Sequence, residues 1–308
     1  MNELDAVRLN FSPESLVALD VILAFVLFGV ALDMRVQDFK GIVTAPRGTL
    51  IGILAHSVLL PAVAWGLTMV LQPSPSIALG MILVASCPSG NISNFLVNYG
   101  RGNTALSVTI AAFSMLGSIF FTPFNLSFWG ELNPHTRPIL HSVTLSPWEV
   151  LGTIIVLLGI PTALGMWVAH RWPAFALRAR GSFRALSLLF FVVFVVGALV
   201  INWDFFLKYV GRVVGFVFLL NAFALLTGYF TAKAARLAEG DRRAVALEVG
   251  IQNSGFGLAL VFNFFGGLGG MAIVAAWWGI WHLVVGLSLA SIWRRFPPRE
   301  VALREATA

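Results

Sequence analysis

A chain of 308 residues that is 58% hydrophobic and only 11% charged, with a mean hydropathy of +0.87, is too apolar to be a water-soluble domain; such domains carry roughly 25% charged residues. The net charge of +6 does not mark a nucleic-acid binder, because the basic residues are scattered through short loops instead of lying on one face. A single cysteine, Cys87, excludes an intrachain disulfide framework.

Met1 to Ser15 carries Glu3, Asp5 and Glu14 and lacks the basic n-region and small-residue cleavage site of a signal peptide. Beyond it, apolar stretches of about 20 residues mark spanning helices. Nine are expected, at about 16–34, 48–71, 76–99, 104–128, 148–169, 184–203, 212–232, 243–265 and 271–293. Punctuation separates them: Ala45-Pro46-Arg47-Gly48 before the second, Gln72-Pro73-Ser74-Pro75-Ser76 after it, and Gly266-Gly267-Leu268-Gly269-Gly270 before the ninth. Pro61, Pro123 and Pro161 read as tolerated kinks. With the N-terminus outside, 16 basic residues fall in inside loops and 4 outside. The positive-inside rule then predicts a multi-pass inner-membrane protein with its N-terminus outside and its C-terminus cytoplasmic.

Two spans are interrupted by polar residues. One interruption reads Cys87-Pro88-Ser89-Gly90-Asn91-Ile92-Ser93-Asn94 and the other Glu248-Val249-Gly250-Ile251-Gln252-Asn253-Ser254-Gly255. Broken helices persist in a membrane only inside protein or beside a water-filled cavity. Paired breaks in the two halves of a polytopic chain point to the site of a secondary transporter. Spans two to four and seven to nine correspond, with a break in each middle member. The second triplet enters from the opposite side of the membrane, as expected of an inverted-topology repeat.

Glu248 is read as the carboxylate well inside a span near the breaks, and a carboxylate at that depth needs a cation or a proton. Hard oxygen donors surround it in sequence: Ser93, Asn94, Ser107, Gln252, Asn253 and Ser254, with backbone carbonyls at Val249 and Ile251. Such a set suits an alkali cation, whereas sulfur or imidazole would suit zinc or copper. Half-helix N-termini present N–H groups to a substrate carboxylate. A lone Ser or Asn in a span is commonly interhelical glue; two clustered breaks with a Glu ask for more. His135, His141 and His170 lie near interfaces and carry no argument.

These residues resemble the bile acid:sodium symporter family. The resemblance runs through Ala31-Leu32-Asp33-Met34 to Asp38-Phe39, Pro46-Arg47-Gly48, both breaks, Ala105-Leu106-Ser107-Val108 and Trp281-His282. It implies two crossing discontinuous helices, a core domain (about 48–128 and 212–293) and a panel domain (about 16–34 and 148–203). It also implies one or two sodium ions and no organic cofactor. The first ion would use Ser93, Asn94, Ser107 and Glu248. The second would use Glu248, Gln252 and the carbonyls of Val249 and Ile251, with His56 at the position usually held by Gln. Asn91, Asn253, Ser254 and His282 would line the substrate crevice. Ala111, Leu283 and Asn91 stand where the family usually has Thr, Asn and Thr.

The expected activity is import of an organic anion (bile-acid-like, pantoate-like or a keto acid) by sodium symport, in a monomer within the lipid bilayer. Imidazole titrates near neutral pH, so proton coupling through His56 and Glu248 is an alternative. A non-transporting membrane receptor is another, although the tail after Arg295 is short for a signalling appendage. An intramembrane zinc protease would want His-Glu-x-x-His, which the sequence lacks.

Overall fold

The chain's apolar runs fold into helices, as they must where backbone polar groups have no water to bind. The computed structural model describes residues 3–9, 13–32, 34, 38, 41–90, 92–142 and 147–298. Asp33 and Phe39 of the first resemblance motif lie outside the described residues. In chain order the helices begin with α1 (Glu3–Ala6), α2 (Pro13–Ala31), α3 (Gly41–Thr44), α4 (Pro46–Leu54) and α5 (Leu60–Leu71). Next come α6 (Pro75–Ser86), α7 (Ser93–Tyr99), α8 (Thr104–Leu132), α9 (Arg137–Ser142), α10 (Pro147–Ile154) and α11 (Ile160–Arg171). The last are α12 (Pro173–Ile201), α13 (Trp203–Ala234), α14 (Glu239–Gly250), α15 (Ser254–Phe265) and α16 (Gly269–Arg295). Among the described residues there is no strand, only the isolated bridges Arg8 with Leu268 and Ser89 with Gln252.

Six helical stretches among the described residues are long and apolar enough to cross a membrane: Glu14–Ala31, Pro46–Leu71, Thr104–Leu132, Leu151–Arg171, Trp203–Ala234 and Gly269–Arg295. The expected third and eighth spans are each two shorter helices, α6 with α7 and α14 with α15. The expected sixth falls mainly on α12, which starts well before residue 184 and ends at Ile201. Pro173 is favourable at a helix start, and the Ala and Arg residues after it are good helix formers. Large apolar side chains on the outside, such as Val17, Val21, Phe120, Phe124 and Val284, form a surface fitted to lipid.

Pro61 and Pro161 are more than kinks. Each follows a π-helical turn, over Ala55–Leu59 and Ile155–Gly159, at the same offset. Proline offers no N–H to the turn before it. The carbonyl of Ser57, four residues ahead of Pro61, accepts from Asn125 Nδ2 of α8 at 2.9 Å. Trp129 Nε1 donates in turn to Asn125 Oδ1 at 3.1 Å. The widened turn carries His56 into the buried interior.

α13 packs along α14, α6 along α16, and α2 against α11 and α12. Close approach needs small residues where lipid supplies no hydrophobic driving force. At Gly228 of α13 a Cβ would meet Val245 O at 2.7 Å and Ala246 Cα at 2.8 Å, so only glycine permits that contact. One end of the bundle is tied by residues 3–9. Leu9 N–H donates to Gly267 O at 3.0 Å, Gly269 N–H to Val7 O at 2.9 Å, and Ser76 N–H to Asp5 Oδ1 at 2.9 Å. At the other end the buried Arg243 guanidinium donates to Gly100 O at 3.1 Å, Trp293 O at 3.0 Å and Phe296 O at 2.6 Å, and it pairs with Glu239.

Replacing Asn125 with Leu leaves the Ser57 carbonyl buried without that donor. We expect Asn125→Leu to cost about 1–3 kcal/mol of stability, seen as a lower melting temperature of the detergent-solubilised protein. An unchanged melting temperature would show that the turn does not depend on this bond.

Candidate functional site

Each break is an accounting problem: carbonyls and N–H groups that leave a helix inside a membrane must find other partners. α6 stops at Ser86 because Pro88 cannot donate. Ser86 O accepts from Thr122 Oγ1 at 2.6 Å, and Ser89 N–H donates to Ser114 Oγ at 2.9 Å. Beyond α14, three consecutive carbonyls find three different donors. Val249 O accepts from Gln252 Nε2 at 2.8 Å, Gly250 O from Asn221 Nδ2 at 2.8 Å, and Ile251 O from Gly90 N–H at 2.7 Å. Asn253 N–H then donates to Pro88 O at 2.8 Å. The two breaks therefore cross and pair as a short antiparallel bridge. Gly90 is what lets them meet, since a Cβ there would sit 3.0 Å from Gln252 O and 3.1 Å from Ile251 Cγ2.

The Glu248 carboxylate, 0% exposed, ends beside this crossing. Its partners are uncharged serine hydroxyls: Ser89 Oγ at Oε2, Ser107 Oγ at Oε1, and Ser93 within reach. Ser107 Oγ also lies 2.7 Å from Asn94 Oδ1. With Glu248 ionised, one hydroxyl hydrogen cannot serve both Asn94 Oδ1 and Glu248 Oε1, so three oxygens crowd around a single proton. Around Ser89 Oγ lie Glu248 Oε2, Ser93 Oγ at 3.3 Å, which can itself donate, and Ile251 O at 3.5 Å. Clustered oxygens short of hydrogens, on a buried carboxylate, fit a hard cation. Among the described residues no group of three His, Cys, Asp or Glu is placed to hold a metal, so the donors here are hydroxyl, amide, carboxylate and backbone oxygens.

Ser93, Asn94, Ser107 and Glu248 thus come together. Val249, Ile251 and Gln252 follow on the same break. Gln252 Oε1 is buried with no hydrogen-bond partner among the described residues, and each carbonyl keeps a second lone pair. His56 is buried 3.3 Å (Nε2) from Ser114 Oγ and neighbours Gln252. Asn91 lies outside the described residues. Asn253 does not leave the start of α15 open: its Oδ1 caps the helix by accepting from Phe256 N–H at 3.0 Å. That N–H group, expected to face a substrate carboxylate, is already taken. Ser254, the first residue of α15, is buried, and its N–H donates to Gln252 O at 3.0 Å. His282 is buried in α16, Nδ1 without a partner among the described residues, one turn before Gly286, which packs on Leu96 and Ile251.

Four residues escaped the sequence reading. Ser89 stood inside the quoted motif, but its contact with Glu248 spans 159 positions. Ser114 and Asn221 had no local signal. Asp20 is a second carboxylate within a span, and Asn263 Nδ2 of α15 donates to its Oδ1 at 2.9 Å; its position inside an apolar run was the available clue.

Two broken helices crossing over a buried carboxylate in an apolar, multi-pass bundle define a membrane transporter of the secondary type. The family model for the sodium bile acid symporter family matches residues 20–209. The chain is 30% identical over 275 residues to the sodium-dependent transporter YocS of Bacillus subtilis, covering 89% of this chain and 82% of that one. A stretch of that length in a chain of 308 residues extends past residue 248. The chain is 27% identical over 238 residues to the ileal sodium/bile acid cotransporter of Homo sapiens (77% of this chain, 66% of that one). It is 24% identical over 279 residues to the probable sodium/metabolite cotransporter BASS1, chloroplastic, of Arabidopsis thaliana (91% and 67%). The chain thus spans just under two thirds of the length of the human relative. It belongs to the sodium bile acid symporter family, a family of membrane transporters and not of enzymes.

Gly90→Val places a branched side chain against the Gln252 carbonyl. We expect it to destabilise the protein by about 1–3 kcal/mol, read as a lower melting temperature in detergent. A melting temperature equal to wild type would mean that the crossing does not need glycine there.

Proposed function

We propose that this protein imports an organic anion by sodium symport, with Glu248 as the charge that recruits the ion. The observation that carries this reading is the oxygen cluster itself: Glu248, Ser107 and Asn94 crowd around one hydroxyl hydrogen with only uncharged partners. A cation relieves that crowding and offsets the cost of a buried carboxylate. One sodium ion would take Ser93, Asn94, Ser107 and Glu248. A second would take Glu248, Gln252 and the carbonyls of Val249 and Ile251. The orphaned Gln252 Oε1 supports the second position.

The relatives' printed names, sodium/bile acid and sodium/metabolite cotransporters, support an organic anion as cargo here. It would sit beside the crossing near Asn91, Asn253, Ser254 and His282. Nine crossings, with α6–α7 and α14–α15 each counted as one, agree with the charge count that puts the N-terminus outside. The triplets flanking the two breaks would be inverted repeats and form a core domain; α2, α11 and α12, which pack together, would form the panel. Ion binding would order the crossing and bias the inward–outward equilibrium, which favours cargo binding through coupling free energy.

A second reading rests on His56. Its ring contacts Ser114, whose oxygen holds the backbone of Ser89, itself a partner of Glu248. A proton on His56 would then act on the same cluster in place of one ion.

Uptake into proteoliposomes with separately imposed sodium and pH gradients tests both. We expect a sodium gradient alone to drive uptake and Glu248→Ala to abolish it at equal reconstitution. Uptake driven only by a pH gradient would favour the His56 reading, and undiminished sodium-driven uptake by Glu248→Ala would sink the mechanism.

A further inference from the structure

Of the three carbonyls released by the end of α14, the outer two are candidate ion ligands and the middle one is not. The middle one, Gly250 O, is held by a residue from elsewhere in the fold. Asn221 lies midway along α13, 1% exposed, and its Nδ2 donates to Gly250 O at 2.8 Å across 29 residues of sequence. Its Oδ1 is buried without a hydrogen-bond partner among the described residues. An amide in such an apolar helix costs free energy unless its bonds are made, so retaining Asn221 with half its capacity unused points to a role for the half that is used.

Geometry says what that role is. The Gly250 carbonyl belongs to the peptide plane between Gly250 and Ile251. Holding its direction constrains ψ of Gly250 and φ of Ile251, which is extended at −113°, and so limits where the Ile251 carbonyl can point. It also limits how far the Val249 carbonyl can swing. On its N–H side that plane is held within α14, where Ile251 N–H donates to Leu247 O at 3.0 Å, but its carbonyl has no local donor: Gln252 Nε2 engages Val249 O, and Gly90 N–H engages Ile251 O. Gly250 itself has no side chain to wedge against α13, and a Cβ there would strike the side chain of Leu225. α13 also packs on the π-helical turn carrying His56, so α13, that turn and the end of α14 meet around this bond.

We propose that Asn221 is a positioning residue for ion binding: by tethering Gly250 O it pre-aims the flanking carbonyls of Val249 and Ile251 at the cation beside Glu248. The proposal rests on the reading of Glu248 as the ion-coupling carboxylate. Partners that orient metal ligands from behind typically set affinity by about 10–100-fold. A residue that served stability alone would lower the melting temperature and leave ion affinity where it was.

The test uses purified full-length protein in detergent and sodium alone as the probe. Melting temperature is followed as sodium chloride replaces choline chloride at constant ionic strength, giving the sodium concentration for half-maximal stabilisation. Asn221→Leu keeps the number and branching of side-chain heavy atoms and removes the donor; we expect it to raise that concentration by about tenfold or more. Asn133→Leu removes a buried amide that bonds Thr68 at 3.0 Å, remote from the crossing; it should lower the melting temperature and leave the sodium midpoint unchanged. If Asn221→Leu yields no folded protein, Asn221→Ser, too short to reach Gly250 O, is read in the same way. A sodium midpoint equal to wild type in the folded Asn221 variant overturns the proposal while the Glu248 reading stands. Absence of sodium stabilisation in the wild type overturns both.

Discussion

The fold turns on one constraint, that no backbone polar group goes unpaired in a membrane. Two helices are broken here, and each break pairs with the other: Gly90 N–H with Ile251 O, and Asn253 N–H with Pro88 O. A single break would have to draw on water or on side chains. Two breaks meeting at Gly90 supply each other's donors and acceptors, and so hold α6, α7, α14 and α15 in one place. Thr122, Ser114, Asn221 and Gln252 provide what remains.

That arrangement also brings about the chemistry. The crossing carries Ser89 and Ser93 from the first break to Glu248 at the end of α14, and α8 contributes Ser107. None of these partners carries a positive charge. On the proposed reading, a carboxylate stripped of water and given only hydroxyls would accept a cation, and accepting it would tighten the crossing. Cation and cargo would be linked through the stability of the same small piece of irregular backbone, so long-range signalling is not needed to couple them.

Polar side chains elsewhere serve the same constraint at a distance. Asn125 fills the Ser57 carbonyl at the widened turn ahead of Pro61, and Asn221 fills the Gly250 carbonyl beside the crossing. Both stand on uninterrupted helices facing an interrupted one. The intact helices act as templates, and their amides determine where the interrupted ones can bend. Asp20 with Asn263 adds a polar contact between α2 and α15, two helices that pack together.

The sequence by itself determined the solvent, the helical class and the places where helices must fail. Pro88, Gly90 and the Glu248-to-Gly255 run are local signals, because proline, glycine and clustered polar residues act on the backbone where they stand. Glu248, Ser93, Asn94 and Ser107 were legible as oxygen donors for the same reason. What only the tertiary structure decided is which groups meet. Ser89 joins Glu248 across 159 positions and Asn221 joins Gly250 across 29. Asn253 turned out to cap its own helix. Pro61 marked a π-helical turn, whose Ser57 carbonyl is served by Asn125 of another helix. Hydrogen bonds between distant segments leave no period or spacing in a chain. They are set by the packing of helices whose lipid-facing and core-facing surfaces are equally apolar, and so only the folded molecule fixes them.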